Sequence, residues 1–386
     1  MTYDFDRVID RRQTESNKWH KYPADVLPLW VADMDFRSPE PVIRALRDRV
    51  EHGIFGYGME QPEFYEVILE RLVKRYGWRV PREAILLIPG VIPGFNLAAR
   101  AFTATGDGLL LQTPMYPPIR RVPENVGLSS DAVELTRQPD GRYVVDFERF
   151  EAAITSRTRI YLLCNPHNPV GRVYGKDELE RMAQICLRHR LLICADEIHC
   201  DLTFSGQRHI PIASLDPEIE ARTITLMAPT KTFNLPGLKC SIAIIPNASL
   251  RERFVAAQLD LVRAVNILGY TATVAAYRDG QPWLDELLRY LEANRDFVVD
   301  YVRSKLPGLR VAPPEATYLA WLDCRDAKLP HDDPYTFFLD QARVALNDGQ
   351  TFGPGGAGFA RLNFACPRAT LTEALNRMRQ ALEQRA

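Results

Sequence analysis

The sequence predicts an α/β protein, a mostly parallel sheet covered by helices on both faces and joined to a smaller α+β unit. Three observations carry this. Short apolar runs alternate with helical patterns through the first two thirds of the chain, and continuous apolar strands are the mark of a sheet buried on both sides. After Pro246 the pattern changes to long helical stretches and then to a shorter mixture of strands and helices. The length, 386 residues, is enough for two or three domains at roughly 150 residues each.

In chain order, Pro41 to His52 and Pro62 to Tyr76 place apolar residues at helical spacing behind an opening proline, which suits the first turn of a helix. The expected strands are Ile85–Ile88, Leu109–Gln112, Ile160–Cys164, Leu191–Ala195, Thr223–Met227 and Ser241–Ile245, with an amphipathic helix over Asp177–Arg190. Long helices are expected near 249–262, 267–278 and 282–305. Strands at Tyr318–Asp323 and Ala360–Phe364 and helices near 335–346 and 370–384 then complete the small unit. The expected division is an N-terminal segment 1–45 belonging to the small domain, a large domain 46–285 and a small C-terminal domain 286–386.

Composition excludes several classes of function. With 48 Lys+Arg against 49 Asp+Glu the formal charge is −1, so the basic surplus of a nucleic-acid binder is missing, and 46% hydrophobic residues argue against disorder. The longest uncharged stretch, Ala84 to Ala99, is short and broken by Pro89, Gly90, Pro93 and Gly94, so no membrane helix is expected. The first ten residues have no apolar core of a secretory leader, and the seven cysteines are scattered without a C-x-x-C pair, as in reduced cytoplasmic proteins.

In open α/β sheets ligands bind beyond the carboxyl ends of the strands. Three polar segments fall there: Asn165-Pro-His-Asn168-Pro-Val-Gly171, Asp196-Glu-Ile-His199-Cys200-Asp201, and Ala228-Pro-Thr230-Lys231-Thr-Phe-Asn234. Singly, Asn168 reads as a turn residue, Asp196 as a cap and Lys231 as a surface lysine. Together on one sheet edge, a lysine, a carboxylate and an amide meet the needs of pyridoxal phosphate. That cofactor joins a lysine as a Schiff base, pairs its ring nitrogen with an acid and takes a donor at its phenolic oxygen. A zinc site at Asp196, Glu197, His199, Cys200 and Asp201 lacks a second ligand pair on another segment. Gly353 to Gly358 lacks the G-K-[ST] ending of a phosphate loop.

The motifs NPHNPVGRVY, ADEIHCD and APTKTFNLPGL, in this order, resemble the fold-type I pyridoxal-phosphate enzymes related to class I and II aminotransferases. LPLWVADMDF, TPMYPPI, ATYLAWLD and RLNFACPR narrow the resemblance to the cystathionine β-lyase branch of C-S lyases. It runs from about residue 20 to 380. It implies the three-layer, aspartate aminotransferase-like fold of that cofactor family and a homodimer with shared sites.

By that resemblance Lys231 carries the cofactor, Asp196 faces its ring nitrogen, Asn168 its phenolic oxygen, and Tyr116 stacks on its ring. His199 stands where many aminotransferases have a tyrosine, as a donor or as a packed imidazole. The phosphate falls to the amides of Val91 and Ile92 at a helix start, to Thr230 and to Lys239, with Ala228 where a serine is usual. Tyr57 matches a tyrosine given to the partner's phosphate, and Arg361 matches the arginine on the substrate carboxylate. Trp30 and Asp33 are expected to help close the site. The implied reaction is α,β-elimination of cystathionine or related S-substituted cysteines, giving a thiol, pyruvate and ammonia. Alternatives are an aminotransferase using the same residues and a regulatory protein that binds a transcription activator.

Overall fold

The computed structural model describes residues 3–262 and 264–385; Met1, Thr2, Arg263 and Ala386 of the expected segments lie outside the described residues. A seven-stranded sheet is built from β1 (Ile85–Ile88), β2 (Gly108–Thr113), β3 (Ser129–Glu134), β4 (Thr158–Cys164), β5 (Leu192–Asp196), β6 (Thr223–Met227) and β7 (Ser241–Ile244). Its order is β1-β7-β6-β5-β4-β2-β3, and β7 runs antiparallel to both neighbours while the other pairings are parallel. Leu109, Leu111, Ile160 and Leu162 enter the core on one face; Leu110, Tyr161 and Leu163 enter the core on the other. Burial on both faces explains the unbroken apolar runs. At about 1.5–3 kcal/mol per large apolar side chain removed from water, these layers are a main source of stability.

The expected strands therefore appear, with β3 added. Its sequence SSDAVE is polar and it lies at the sheet edge with alternating exposure, so it offers no apolar run to read. Helices α1 (Glu40–Glu51), α2 (Pro62–Tyr76), α3 (Val91–Phe102), α4 (Lys176–Arg188), α5 (Ile267–Asp279), α6 (Gln281–Lys305) and α7 (Arg368–Gln384) follow the periodic segments closely. Two helices end early. Ala248–Ala256 stops before Leu259 and Asp260, which take left-handed backbone angles. Pro334–Asp340 gives way at Arg343, also left-handed, to a short strand Val344–Ala345 that pairs with Leu27–Pro28.

A four-stranded antiparallel sheet of β8 (Arg310–Val311), β9 (Leu319–Asp323), β10 (Asn347–Asp348) and β11 (Phe359–Asn363), in the order β8-β9-β11-β10, forms the smaller layer. The pairing of Leu27–Pro28 with Val344–Ala345 attaches the N-terminal segment beside this layer. The loop Leu29–Phe36 is thereby delivered to the carboxyl edge of the large sheet. Among the described residues no helix is long and apolar enough to cross a membrane.

Candidate active site

A cavity of about 520 Å³ opens at that edge. Asp196, the last residue of β5, lies opposite Cys164 of β4 and Leu226 of β6 and points its carboxylate to the cavity floor. Burial pushes its pKa up to about 7; the amide of Ile198, 3.2 Å from Oδ1, and the charge of Lys231 act against the rise, and Glu197 adds to it. Such a carboxyl is stabilised by a cationic or N–H donor placed above it.

Lys231 sits in the short helical turn Pro229–Thr232 that follows β6. Burial lowers its pKa to about 8, with Arg361 assisting and Asp33 and Asp196 opposing. Its Nζ donates to the carbonyl of Ala32 at 2.5 Å. An amine this close to neutrality is a usable nucleophile and base near neutral pH.

Arg361 comes from β11, between Trp321 of β9 and Asn347 of β10. Its Nη1 donates to Oδ1 of Asn168 and its Nη2 to the carbonyl of Trp30, both at 2.9 Å, while Nε is buried without a partner. Burial brings its pKa down to about 10, and Tyr116 and Tyr318 partly offset this. A guanidinium with an unsatisfied edge favours an incoming carboxylate. Asn168 uses its oxygen on Arg361, which leaves Nδ2 as its donor to a ligand.

His199 lines the same cavity with Nδ1 buried and unpartnered, its ring edge-on to Tyr318 at 6.0 Å. Burial, then Lys231 and Arg361, hold its pKa well below the ordinary value, so the ring is neutral. Tyr116 is also on the wall. At the other end are Val91 and Ile92, the first residues of α3, whose amides have no acceptor within the helix, together with Thr230 and Lys239. Anions bind well at such a helix start.

Three expected residues lie elsewhere. Tyr57 is fully exposed in the segment between α1 and α2, beside exposed Ile54, Phe55 and Met59, and does not reach this chain's cavity. Trp30 turns its indole to the carbonyl of Lys18 and lies under Lys21, so its main chain and not its ring engages Arg361. Asp33 pairs with Arg11 at 2.7 Å and touches the cavity only through its field on Lys231.

What these two residues build is a strap. Asp35 receives Lys18 at 2.7 Å, Arg11 at 2.6 Å and the indole N–H of Trp19 at 2.9 Å; burial alone would raise this carboxyl, but these partners hold it below its ordinary value. Asn234 donates to the carbonyls of Met34 and Phe36, and Asn363 to those of Val31 and Asp33. The fixed strap presents two carbonyls, Trp30 to Arg361 and Ala32 to Lys231.

Two participants were not singled out from sequence. Tyr318 donates to the Ala32 carbonyl at 3.1 Å, beside Lys231. Ser241 lines the cavity because β7 is antiparallel, so its first residue meets the edge where the other strands end. A uniformly parallel reading hides that position.

The donor set fits pyridoxal phosphate. It combines a near-neutral amine, a buried carboxylate for a ring N–H, an amide donor, an aromatic wall and a helix start for a phosphate. Among the described residues no cluster of His, Cys, Asp and Glu is arranged to hold a metal. The residues that follow Asp196 diverge, Glu197 to His209 at 2.9 Å and Asp201 to Arg71 at 2.8 Å.

A family model described as aminotransferase class I and II matches residues 24–378. Cystathionine beta-lyase PatB of Bacillus subtilis (strain 168) is 38% identical over 98% of this chain and 100% of its own length. A crystal structure of OvoB is 44% identical with a TM-score of 0.94, covering 98% of this chain and 99% of that one. Cystalysin from Treponema denticola, whose structure contains pyridoxal 5'-phosphate, is 33% identical with a TM-score of 0.96 over the whole of both chains.

Proposed function

The chain belongs to the aminotransferase class I and II family, and from that premise we propose that it is a pyridoxal-phosphate-dependent carbon-sulfur β-lyase acting on cystathionine or related S-substituted cysteines. The observation that carries the reading is the convergence of Lys231, Asp196, Asn168 and Arg361 on one crevice in a chain similar over its full length to a cystathionine beta-lyase.

When bound, the cofactor supplies an electron sink that stabilises negative charge at the substrate Cα. This chain's residues do the rest. Lys231 would hold the cofactor, and its amine, close to neutrality, would take the Cα proton. Asp196 would keep a proton on the ring nitrogen, Asn168 would donate to the phenolic oxygen, Tyr116 would bound the ring, and Val91, Ile92, Thr230 and Lys239 would bind the phosphate. Arg361 fixes the α-carboxylate and so the direction of the Cα–H bond. The Cβ–S bond then breaks with its electron pair leaving on sulfur, which gains a proton as a thiol. The three-carbon remainder hydrolyses to pyruvate and ammonia, so cystathionine plus water gives homocysteine, pyruvate and ammonia.

The unit proposed is a cytoplasmic homodimer. The exposed apolar segment Ile54, Phe55, Tyr57 and Met59 supports it, with Tyr57 completing the phosphate site of the second copy. Transamination is the second reading, since the same lysine, carboxylate and arginine serve it; Ala228, His199 and Lys239, where aminotransferases usually have a serine, a tyrosine and an arginine, lean toward elimination.

The test is Lys231→Ala supplied with pyridoxal phosphate and cystathionine. Loss of both the visible lysine-bound cofactor band and pyruvate release is expected; a band still fixed to the protein by borohydride would contradict the assignment.

A further inference from the structure

Lys231 is followed by two fully buried residues, Thr232 and Phe233. Thr232 donates its hydroxyl to Oδ2 of Asp201 at 3.3 Å. The same carboxylate is paired with Nη2 of Arg71 at 2.8 Å, receives the hydroxyl of Tyr76 at 2.8 Å and has Arg75 at 3.6 Å. The Arg71 guanidinium lies 5.5 Å over the ring of Phe233 and 4.8 Å over Tyr277, and it also donates to Gln281. One arginine on α2 therefore grips the two residues that follow Lys231, Thr232 through Asp201 and Phe233 through its ring. Asp201 is itself five residues beyond Asp196 in the segment that also carries His199, so a single carboxylate joins the two strand ends that supply the amine and the acid.

We infer that the buried Arg71–Asp201 pair is a positioning device that sets the Lys231 amine over the reacting carbon, with Thr232 as its link. None of the three lines the cofactor cavity, so none contacts the reacting groups directly. A buried ion pair is weak as a stabiliser, because desolvation offsets its attraction, but removing one partner strands the other charge, so a pair tied by several directional hydrogen bonds holds its neighbours in a fixed geometry. Phe233 and Tyr277 close the apolar side of the pair, Arg71 donates through Nε to Asp201 and through Nη1 to Gln281, and Tyr76 and Thr232 donate to the carboxylate, while the buried Nη2 pairs with Asp201 by charge alone. Misplacement of a catalytic group by even a fraction of an ångström slows proton transfer without altering carboxylate binding.

The inference rests on the lyase reading, and wild-type enzyme run alongside separates the two: no pyruvate from wild type sinks the reading, whereas an active wild type leaves the positioning role to be judged on the variants. Thr232→Val, Thr232→Ser and Asp201→Asn are loaded with pyridoxal phosphate and compared for kcat and KM on cystathionine, and their cofactor-free forms for the rate of borohydride-stable cofactor attachment. Thr232→Val keeps the shape of the core and should lower kcat and the attachment rate by about tenfold with KM within about twofold, and Thr232→Ser should restore both. Asp201→Asn should show a larger loss of the same kind. Thr232→Val indistinguishable from wild type, or Thr232→Ser as slow as Thr232→Val, overturns the proposal; if the valine variant does not fold, Asp201→Asn with unchanged kcat and attachment rate overturns it equally.

Discussion

Lys231 and Asp196 show how burial does chemical work at single residues. The lysine titrates near 8 and the aspartate near 7, both displaced toward neutrality chiefly by loss of water. Attack on the cofactor aldehyde needs the neutral amine, and the ring nitrogen needs the ionised acid. Both forms gain as pH rises, so attachment of pyridoxal phosphate to the cofactor-free protein should accelerate from pH 6 through about 8 and then level off, as stopped-flow absorbance would show. Acceleration that continues to the ordinary lysine range would contradict the lowered pKa. Arg361→Lys should lower kcat/KM by about 100-fold in steady-state assays, since an ammonium cannot hold Asn168, the Trp30 carbonyl and a carboxylate with one planar fork. Asp196 and Lys231 were legible because strand ends are legible, an apolar run followed by a polar residue marking the crevice, whereas Arg361, inside strand β11, was reached only through the family resemblance. Tyr318 was not, because a tyrosine in an apolar motif reads as core until the structure shows its hydroxyl on Ala32.

At the scale of elements, the sheet and long helices follow from periodicity, whereas the strap Leu29–Phe36 does not. Its shape is set by partners hundreds of residues away, Asn234 and Asn363, and by the buried cluster around Asp35. The resemblance gave Trp30 and Asp33 a part in closing the site; in the fold, long-range hydrogen bonds place the carbonyls of Trp30 and Ala32 toward Arg361 and Lys231. Asp35→Asn leaves Lys18 buried with a weaker partner, and a loss of about 3 kcal/mol in denaturant unfolding is expected, together with a raised KM as Arg361 loses its frame. The Gly-rich stretch before β11 has a packing reason: a Cβ on Gly349 would stand 2.2 Å from the Phe359 carbonyl and one on Gly356 2.0 Å from the Gly349 carbonyl. Gly349→Ala should therefore displace the strand carrying Arg361 and reduce substrate affinity along with stability.

For the whole molecule, near-zero net charge means that no bulk field gathers anions, so on the proposed reading cofactor and substrate recognition would rest on local donors at Val91, Thr230, Lys239 and Arg361. The large sheet supplies the first three and the small sheet the last, and the N-terminal strap joins them. The Tyr57 segment is exposed and lies away from this chain's cavity, and the proposed dimer would bring it to the second copy's site. Sedimentation should give a dimer, and Tyr57→Phe should weaken pyridoxal phosphate binding by about tenfold; a monomer with full activity would contradict the shared site. The central claim, cleavage of a carbon-sulfur bond by this crevice, is tested most directly by incubating the loaded enzyme with cystathionine and no 2-oxo acid, and measuring pyruvate and free thiol together. Equal amounts of both over many turnovers are predicted, and product that forms only when a 2-oxo acid acceptor is added would contradict it.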